Sequence, residues 1–432
     1  MRTRFIRRAL RSVGNGVRAR ILVPARRRAG LAVSQCYRTA LRHLSNTCFI
    51  GVTGSCGKTT ATQLIAAILA EEGRVRKGDH ENEVGYIAKT IRAVSPRDRF
   101  CVCEVSGHAK GVMEQAARLL QPEIGVVTHI GQDHYSSFRS LEATAAEKGK
   151  LIEALPGDGV AVLNADDPHV YAMRTRTRAR IITYGLSEGA TVRAANVTSA
   201  WPERLSLDVC HAGGRHHVQT QLLGTHWTHT VLAALSAALG TGVPLQRAVK
   251  AVEAFAPIPY RMSPHETPGG VTFVSDTRKA PFWTIGASLE FLRAARAERK
   301  ILVIGAVSDT SKGFRQRYAT IARQALEAAD KALFVGDYAH AALKARTHPE
   351  DDRVMAFGML CQLDSYLRSH LKSGDLVLLK GNQNSDHLHR IVLAQTNEIA
   401  CWREKCGRTH PCGDCDLQYS RFVPIEEQAS PY

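Results

Sequence analysis

Cys48-Phe49-Ile50-Gly51-Val52-Thr53-Gly54-Ser55-Cys56-Gly57-Lys58-Thr59-Thr60 is the stretch whose reading decides the fold. The apolar run Phe49, Ile50, Val52 leads into three glycines and then Lys-Thr-Thr, and Ala61 to Ala70 follows with helical composition. Strand, glycine loop and helix in that order are the setting a phosphate-binding loop requires. The glycines let backbone N–H groups curl around a phosphate, and the helix N-terminus adds partial positive charge. Lys58 is then placed to reach the β- and γ-phosphates, and the Thr59 hydroxyl to hold Mg²⁺. Counting back from Gly57-Lys58, the generic first glycine falls on Val52, so Gly-x-x-Gly-x-x-Gly-Lys-Thr-Thr is a narrower pattern than the general loop. A glycine turn without a nucleotide is the alternative, and the flanking strand and helix argue against it.

At 432 residues the chain has room for two large units with ample core. No apolar run approaches the roughly 18 residues needed to cross a bilayer, so a soluble, cytoplasmic protein is expected. The net charge of +17 is unevenly placed: residues 1–45 hold twelve arginines, from Arg2 to Arg42, with no lysine and no acid before Glu71. Such an arm suits an anionic membrane surface or nucleic acid. It equally suits an organellar transit peptide, or a solvated, partly helical lead-in broken at Pro24. Eleven cysteines without a secretory signal point to a reducing compartment, hence to thiols or metal rather than disulfides.

From Thr47 to about Pro168 strands and helices alternate, which implies a parallel sheet wrapped by helices. Phe100 to Val105, with Glu104 near its end, Ile124 to Ile130, and Val160 to Leu163 running into Asn164 read as buried strands. Polar groups at the carboxyl ends of such strands are where open α/β sheets hold ligands. Short alternating segments follow at Thr191–Val197, Leu205–Cys210 and His217–Leu223, then an alanine-rich helix from Thr230 to Leu239. A second α/β unit begins after Pro257-Ile258-Pro259-Tyr260-Arg261, with strands at Val271–Val274, Ile301–Gly305, Ala332–Gly336 and Leu376–Gly381. The expected division is an Arg-rich segment at 1–46, a P-loop central domain at 47–256, a smaller Rossmann-like C-terminal domain at 257–398, and a Cys-rich tail at 399–432.

From Thr47 to Val392 the chain resembles the Mur ligases, ATP-dependent amide-forming enzymes, and most closely their D-alanyl-D-alanine-adding branch. The motifs are Gly-Val-Thr-Gly-Ser-Cys-Gly-Lys-Thr-Thr at 51–60, Glu-Asn-Glu-Val-Gly at 81–85, Glu104-Val105-Ser106-Gly107 and Thr128-His129-Ile130-Gly131-Gln132-Asp133-His134. Glu147-Lys148-Gly149-Lys150, Asn164-Ala165-Asp166-Asp167, Gly224-Thr225-His226, Arg261, Asp276 and Lys380-Gly381 follow in order. The resemblance implies a carboxylate attacking the γ-phosphate of ATP, and an amine then displacing phosphate from the acyl phosphate. It implies nucleotide contacts at Gly54, Gly57, Lys58, Thr59, Thr60, Asn164, Arg261 and Asp276, and Mg²⁺ ligands at Thr59 and Glu104. His134 matches the position of a second metal ligand, and Lys148 the lysine that the family carbamylates; Lys58, Lys148 and His134 make up the implied catalytic set. Glu104 as a strand-end surface acid, and Lys148 as one charge on a solvated face, are the bland alternatives.

The departures bear on specificity. Where the family has His-Asn-x-x-Asn-Ala, this chain reads His226-Trp227-Thr228-His229-Thr230-Val231. Both asparagines are gone, and Trp227 is left as a candidate to stack on a base. Asp276-Thr277-Arg278-Lys279-Ala280-Pro281 keeps the aspartate of the related branch but not its asparagines, and adds two cations near the expected phosphates or an acidic substrate. Only about 46 residues precede the nucleotide loop, where muramoyl ligases place a uridine-nucleotide-binding domain.

The tail departs from the family altogether. Cys401, Cys406, Cys412 and Cys415 fall at C-x4-C-x5-C-x2-C, with His410 between them. Thiolates so spaced suit a tetrahedral, structural Zn²⁺ site, a redox pair being the alternative. The function expected is an ATP-dependent carboxylate–amine ligase with Mg²⁺, and with zinc where the tail thiols hold metal, acting on a carboxylate acceptor and an amino acid or amine. The alternatives are a nucleotide-binding regulatory or scaffold protein derived from such a ligase, and a nucleic-acid-binding ATPase suggested by the arginine arm.

Overall fold

A computed structural model describes residues 23–78, 83–132, 135–308, 313–404, 406–408 and 411–417. The arginines before Val23, the pair Glu81-Asn82, Asp133, His134 and His410 lie outside the described residues.

Two sheets carry the fold. The first has nine strands: β1 (Cys48–Thr53), β2 (Val75–Gly78), β3 (Phe100–Glu104), β4 (Ile124–Val127), β5 (Val160–Asn164), β6 (Arg180–Gly185), β7 (Val192–Thr198), β8 (Ser206–His211) and β9 (Gly214–Gln219). Their order is β2-β3-β1-β4-β5-β6-β7-β8-β9. Pairing is parallel as far as β7 and antiparallel across β7-β8-β9. Strands β1, β3, β4 and β5 are apolar almost end to end and buried along their length, as parallel strands covered on both faces must be. The alternating segments expected beyond residue 190 extend this same sheet, and the third of them starts at Gly214, because the Gly213-Gly214 turn feeds straight into pairing with β8. The helices Lys58–Ala70 and Thr228–Gly240 pack on one face, both apolar nearly all round.

The second sheet has six strands: β10 (Ser263–Glu266), β11 (Thr272–Asp276), β12 (Arg299–Ile304), β13 (Lys331–Val335), β14 (Val354–Phe357) and β15 (Asp375–Lys380). They run in the order β10-β11-β15-β12-β13-β14, parallel except for β10. Strands β2, β6, β10 and β14 carry weaker apolar patterns than their neighbours, and composition alone did not mark them.

Ahead of β1 stands a 22-residue helix, Val23–Leu44. Pro24 sits in its first turn, where the missing N–H has no helical partner to lose. The helix is anchored by Arg38, which is fully buried. Its guanidinium donates to Leu120 O at 2.8 Å, Gln121 O at 2.6 Å and Glu123 Oε1 at 2.6 Å, and lies 3.7 Å from the Phe49 ring centre. Glu123 Oε2 in turn accepts from the Phe49 N–H at 2.8 Å. Burial lowers the Arg38 pKa and the Glu123 carboxylate opposes that shift, so this arginine belongs to the core rather than to a free cationic arm.

Candidate functional site

The carboxyl ends of β1, β3 and β4 meet around the loop 54–57. Gly54 and Gly57 have φ of 144° and 75°, where a side chain is strained. A Cβ on Gly54 would overlap Thr128 Oγ1, and one on Gly57 would come within 2.9 Å of Thr230 Oγ1. Thr128 earns its place by donating to Cys56 O at 2.6 Å, and Ser55 N–H donates to His129 O at 2.7 Å, so the segment after β4 shapes the loop. Gly54→Ala is therefore expected to lose ADP binding measured by calorimetry, and to lower stability by about 1–3 kcal/mol in urea titration through overpacking and backbone strain.

Lys58 opens its helix and sets its Nζ 2.8 Å from Gly54 O, across the loop mouth. Thr59 and Glu104 are both buried, and the Thr59 hydroxyl donates to Glu104 Oε2 at 2.7 Å. Arg261 crosses from the segment between the two sheets and donates from Nη2 to Thr59 Oγ1 at 3.0 Å. Burial pulls the Arg261 pKa down, against the pull of Glu104 and Asp276. Thr60 Oγ1 is buried and has no hydrogen-bond partner among the described residues. A hydroxyl beside a carboxylate is a hard, all-oxygen donor pair of the kind Mg²⁺ takes.

The second sheet brings its own strand ends to this place. Asp276 and Lys380 are register partners at the ends of β11 and β15, and Lys380 Nζ donates to Asp276 Oδ2 at 2.5 Å. His226, from the first unit, lies between them electrostatically: burial brings its pKa down to about 4, with Lys380 adding to the fall and Asp276 opposing it. Trp283 reaches back the other way. A Cβ on Gly131 would stand 2.9 Å from the indole, and the His129 ring lies 5.8 Å from it. Asp386 accepts from Ala306 N–H and Asn382 N–H, each at 2.7 Å, and burial lifts its carboxyl to about 6.

Lys148 is fully buried at the end of the helix Leu141–Lys148. Its neighbour Glu147 accepts from Gly111 N–H and Met113 N–H at 2.9 and 2.8 Å, tying that helix to the loop that leaves Glu104. Asn164 is a splint: Nδ2 donates to Thr128 O at 3.1 Å and Oδ1 accepts from Asp166 N–H at 3.0 Å. Trp227 offers no platform to a base, since it is 8% exposed, packs in the core and lies against His226 at 4.9 Å. Of the residues singled out in the sequence, His134 lies outside the described residues. Thr59, Glu104 and Arg261 come together, with Lys58 next to Thr59 in the chain and Asp276 acting on Arg261 from the second sheet. The residues that motif reading missed are Trp283 and Asp386, and it did not pair His229 Nε2 with Asp166 Oδ2, 2.8 Å apart. Only the packed aromatic and the polar strand-end loops hinted at them.

The tail differs from the four-thiol zinc expectation. Cys406 Sγ lies 3.2 Å from His387 Nε2 and Cys412 Sγ lies 3.4 Å from His387 Nδ1, on two edges of one imidazole. Cys401 is buried separately, and Cys415 faces Arg408 at 3.5 Å. Among the described residues no three His, Cys, Asp or Glu side chains are gathered as a metal would need. The imidazole and two arginines take the contacts that the thiols were expected to make with one another.

The fold and site define a class: a P-loop α/β protein in which the segment leading into a second α/β sheet reaches the glycine loop through Arg261. Residues 52–238 match the family model of the Mur ligase middle domain. It is 33% identical over 254 residues to the UDP-N-acetylmuramoyl-tripeptide--D-alanyl-D-alanine ligase of Mycobacterium bovis, covering 56% of this chain and 48% of that one. The Bacillus subtilis enzyme of the same name is 26% identical over 82% of this chain and 76% of its own. The chain thus spans about half the length of the first of these relatives. Among solved structures, MurF from Acinetobacter baumannii superposes with a TM-score of 0.75 at 20% identity, over 84% of this chain and 80% of that one. MurF from Thermotoga maritima in complex with ADP gives 0.72 at 19% identity, over 84% and 82%. At those identities the likeness is one of fold. No helix among the described residues is long and apolar enough to cross a membrane.

Proposed function

We propose that the chain is an ATP-dependent carboxylate–amine ligase. The observation that carries this reading is the hydrogen bond from Arg261 to Thr59 Oγ1, which joins the hinge to the phosphate loop beside Glu104. A carboxylate oxygen of the first substrate attacks the γ-phosphorus of ATP and the bond to ADP breaks. The amine of the second substrate then attacks the acyl carbon, phosphate leaves, and the amine gives up a proton. Phosphoryl transfer of this kind asks for positioning and charge neutralisation more than covalent help. Lys58, Arg261 and the Lys380–Asp276 pair supply charge around the loop. Thr59 and Glu104 would hold Mg²⁺, with His134 as a second metal ligand, and the ion would offset phosphate charge. A carbamate on Lys148 would replace a buried cation by an anion at the end of the helix Leu141–Lys148.

Arg278, whose Nη1 donates to Gln383 Oε1 at 3.1 Å, and exposed Lys279 favour an acidic group on one substrate. Nucleobase choice falls to residues other than Trp227. We place the protein in the cytoplasm, with the arginines before Val23 contacting an anionic membrane surface. The test is phosphate and ADP release with a panel of amino acids and carboxylates. ADP formation that rises several-fold only when both an acid and an amine are present supports the ligase. Bound nucleotide with no such dependence supports a regulatory or scaffold protein instead.

A further inference from the structure

Arg261 is held in an unusual stretch of backbone. Tyr260 and Met262, on either side of it, have φ of 66° and 50°, although neither is glycine. Such conformations persist only where the surroundings over-determine them, and they gather at functional sites. The grip on Met262 is burial in the core. The grip on Tyr260 is mostly polar and comes from several directions. Its N–H donates to Ser263 Oγ at 3.1 Å, and its carbonyl accepts from Arg278 N–H at 3.1 Å. Its ring stands edge-on to His389 with centres 4.4 Å apart, and His389 Nδ1 is 2.9 Å from Ser275 Oγ, next to Asp276.

The remaining side of Tyr260 is covered by the tail. A Cβ on Gly413 would be 3.3 Å from the Tyr260 hydroxyl. Burial raises that hydroxyl's pKa, and Asp414 and Cys412 push it the same way. The tail is itself pinned to the second unit, through the two thiol contacts of His387 and through Arg390. The Arg390 guanidinium donates from Nε to Cys412 Sγ at 3.2 Å and from Nη1 to Arg403 O at 2.6 Å. His387, like Tyr260, has a left-handed backbone, with φ of 51°. A continuous line of contacts therefore runs from Cys406 and Cys412, through Gly413 and Tyr260, to Arg261 and Thr59.

We propose that the tail residues 411–415 are a positioning element of the phosphate site: packed over Tyr260, they hold the hinge so that Arg261 reaches Thr59. Cys412 and Gly413 are positioning residues here, touching neither nucleotide nor substrate. The inference rests on reading the 54–60 loop as a nucleotide site. It gives the cysteine-rich motif a place in the function without requiring a metal.

The test reads the Mg²⁺ dependence of ADP binding to the full chain by calorimetry, because Arg261 bonds the hydroxyl assigned to Mg²⁺. Cys412→Ala and Gly413→Val are each expected to raise the half-saturating Mg²⁺ concentration roughly tenfold, the scale of one lost bond to a charged group. ADP affinity without Mg²⁺ should stay near the wild-type value. Tyr260→Phe should behave as wild type and Tyr260→Ala as the tail variants do. In an Arg261→Ala background Cys412→Ala should add nothing, since the tail acts through that arginine. If Cys412→Ala fails to fold, Gly413→Val and the Tyr260 pair carry the same comparison. Wild-type Mg²⁺ dependence in the tail variants, or full additivity with Arg261→Ala, overturns the proposal while leaving the nucleotide site standing. Wild-type protein that binds no ADP overturns both.

Discussion

Lys58→Ala is expected to lower ADP formation by at least about 100- to 1000-fold, the range seen when one preorganised donor to a developing negative charge is removed. The physical case is local. Lys58 begins the helix Lys58–Ala70, its ammonium lies over the loop at Gly54 O, and no other lysine or arginine projects from the loop itself. Its side chain is half-exposed and packs in no core, so the melting temperature should move little. Initial rates of ADP release, with circular dichroism as the control, decide the matter. A Lys58→Ala protein that forms ADP at the wild-type rate would place the phosphate site elsewhere.

Lys148→Ala should be the second severe loss, on the order of 100-fold in the same assay. Here the motivation is burial. A lysine buried as a cation is costly, and a carbamate turns it into an anion able to take hydrogen bonds or a metal. Short carboxylic acids such as formate or acetate fit the space that the substitution opens, and added at high concentration they should restore part of the activity. Restoration by acetate but not by ethylamine is the signature of an anion at this position. A structure with ADP and Mg²⁺ that finds Lys148 remote from the phosphates would sink the assignment.

The loop and most of the parallel strands were legible because their signals are local. Glycines at 51, 54 and 57 between an apolar run and a helix need no distant partner to be read. Arg261 could be marked as a site residue from its likeness to a family position, but its bond to Thr59 spans 202 residues of sequence. Nothing near Tyr260 or Met262 announces a left-handed backbone, because no glycine or asparagine stands there. Trp227 was misjudged for a related reason: an aromatic ring beside a nucleotide motif reads the same whether it faces a ligand or the core. The spacing of the thiols describes only the tail, while His387 and Arg390 approach it from outside. Asp386 stayed hidden until the backbone N–H groups of Ala306, Asn382 and Leu388 were seen to converge on it.

The docking of Arg38 sets a schedule for synthesis. The groups that receive its guanidinium, Leu120 O, Gln121 O and Glu123 Oε1, come 82, 83 and 85 residues later in the chain. At the usual pace of elongation the ribosome needs roughly 4–17 s to make that length. During that interval Arg38 lacks these three acceptors, while the Val94 carbonyl that takes the Tyr37 hydroxyl comes 57 residues after Tyr37. The last of the groups that bury the Arg38 guanidinium is therefore made long after the helix itself, so its full docking waits on the segment that leads into β4.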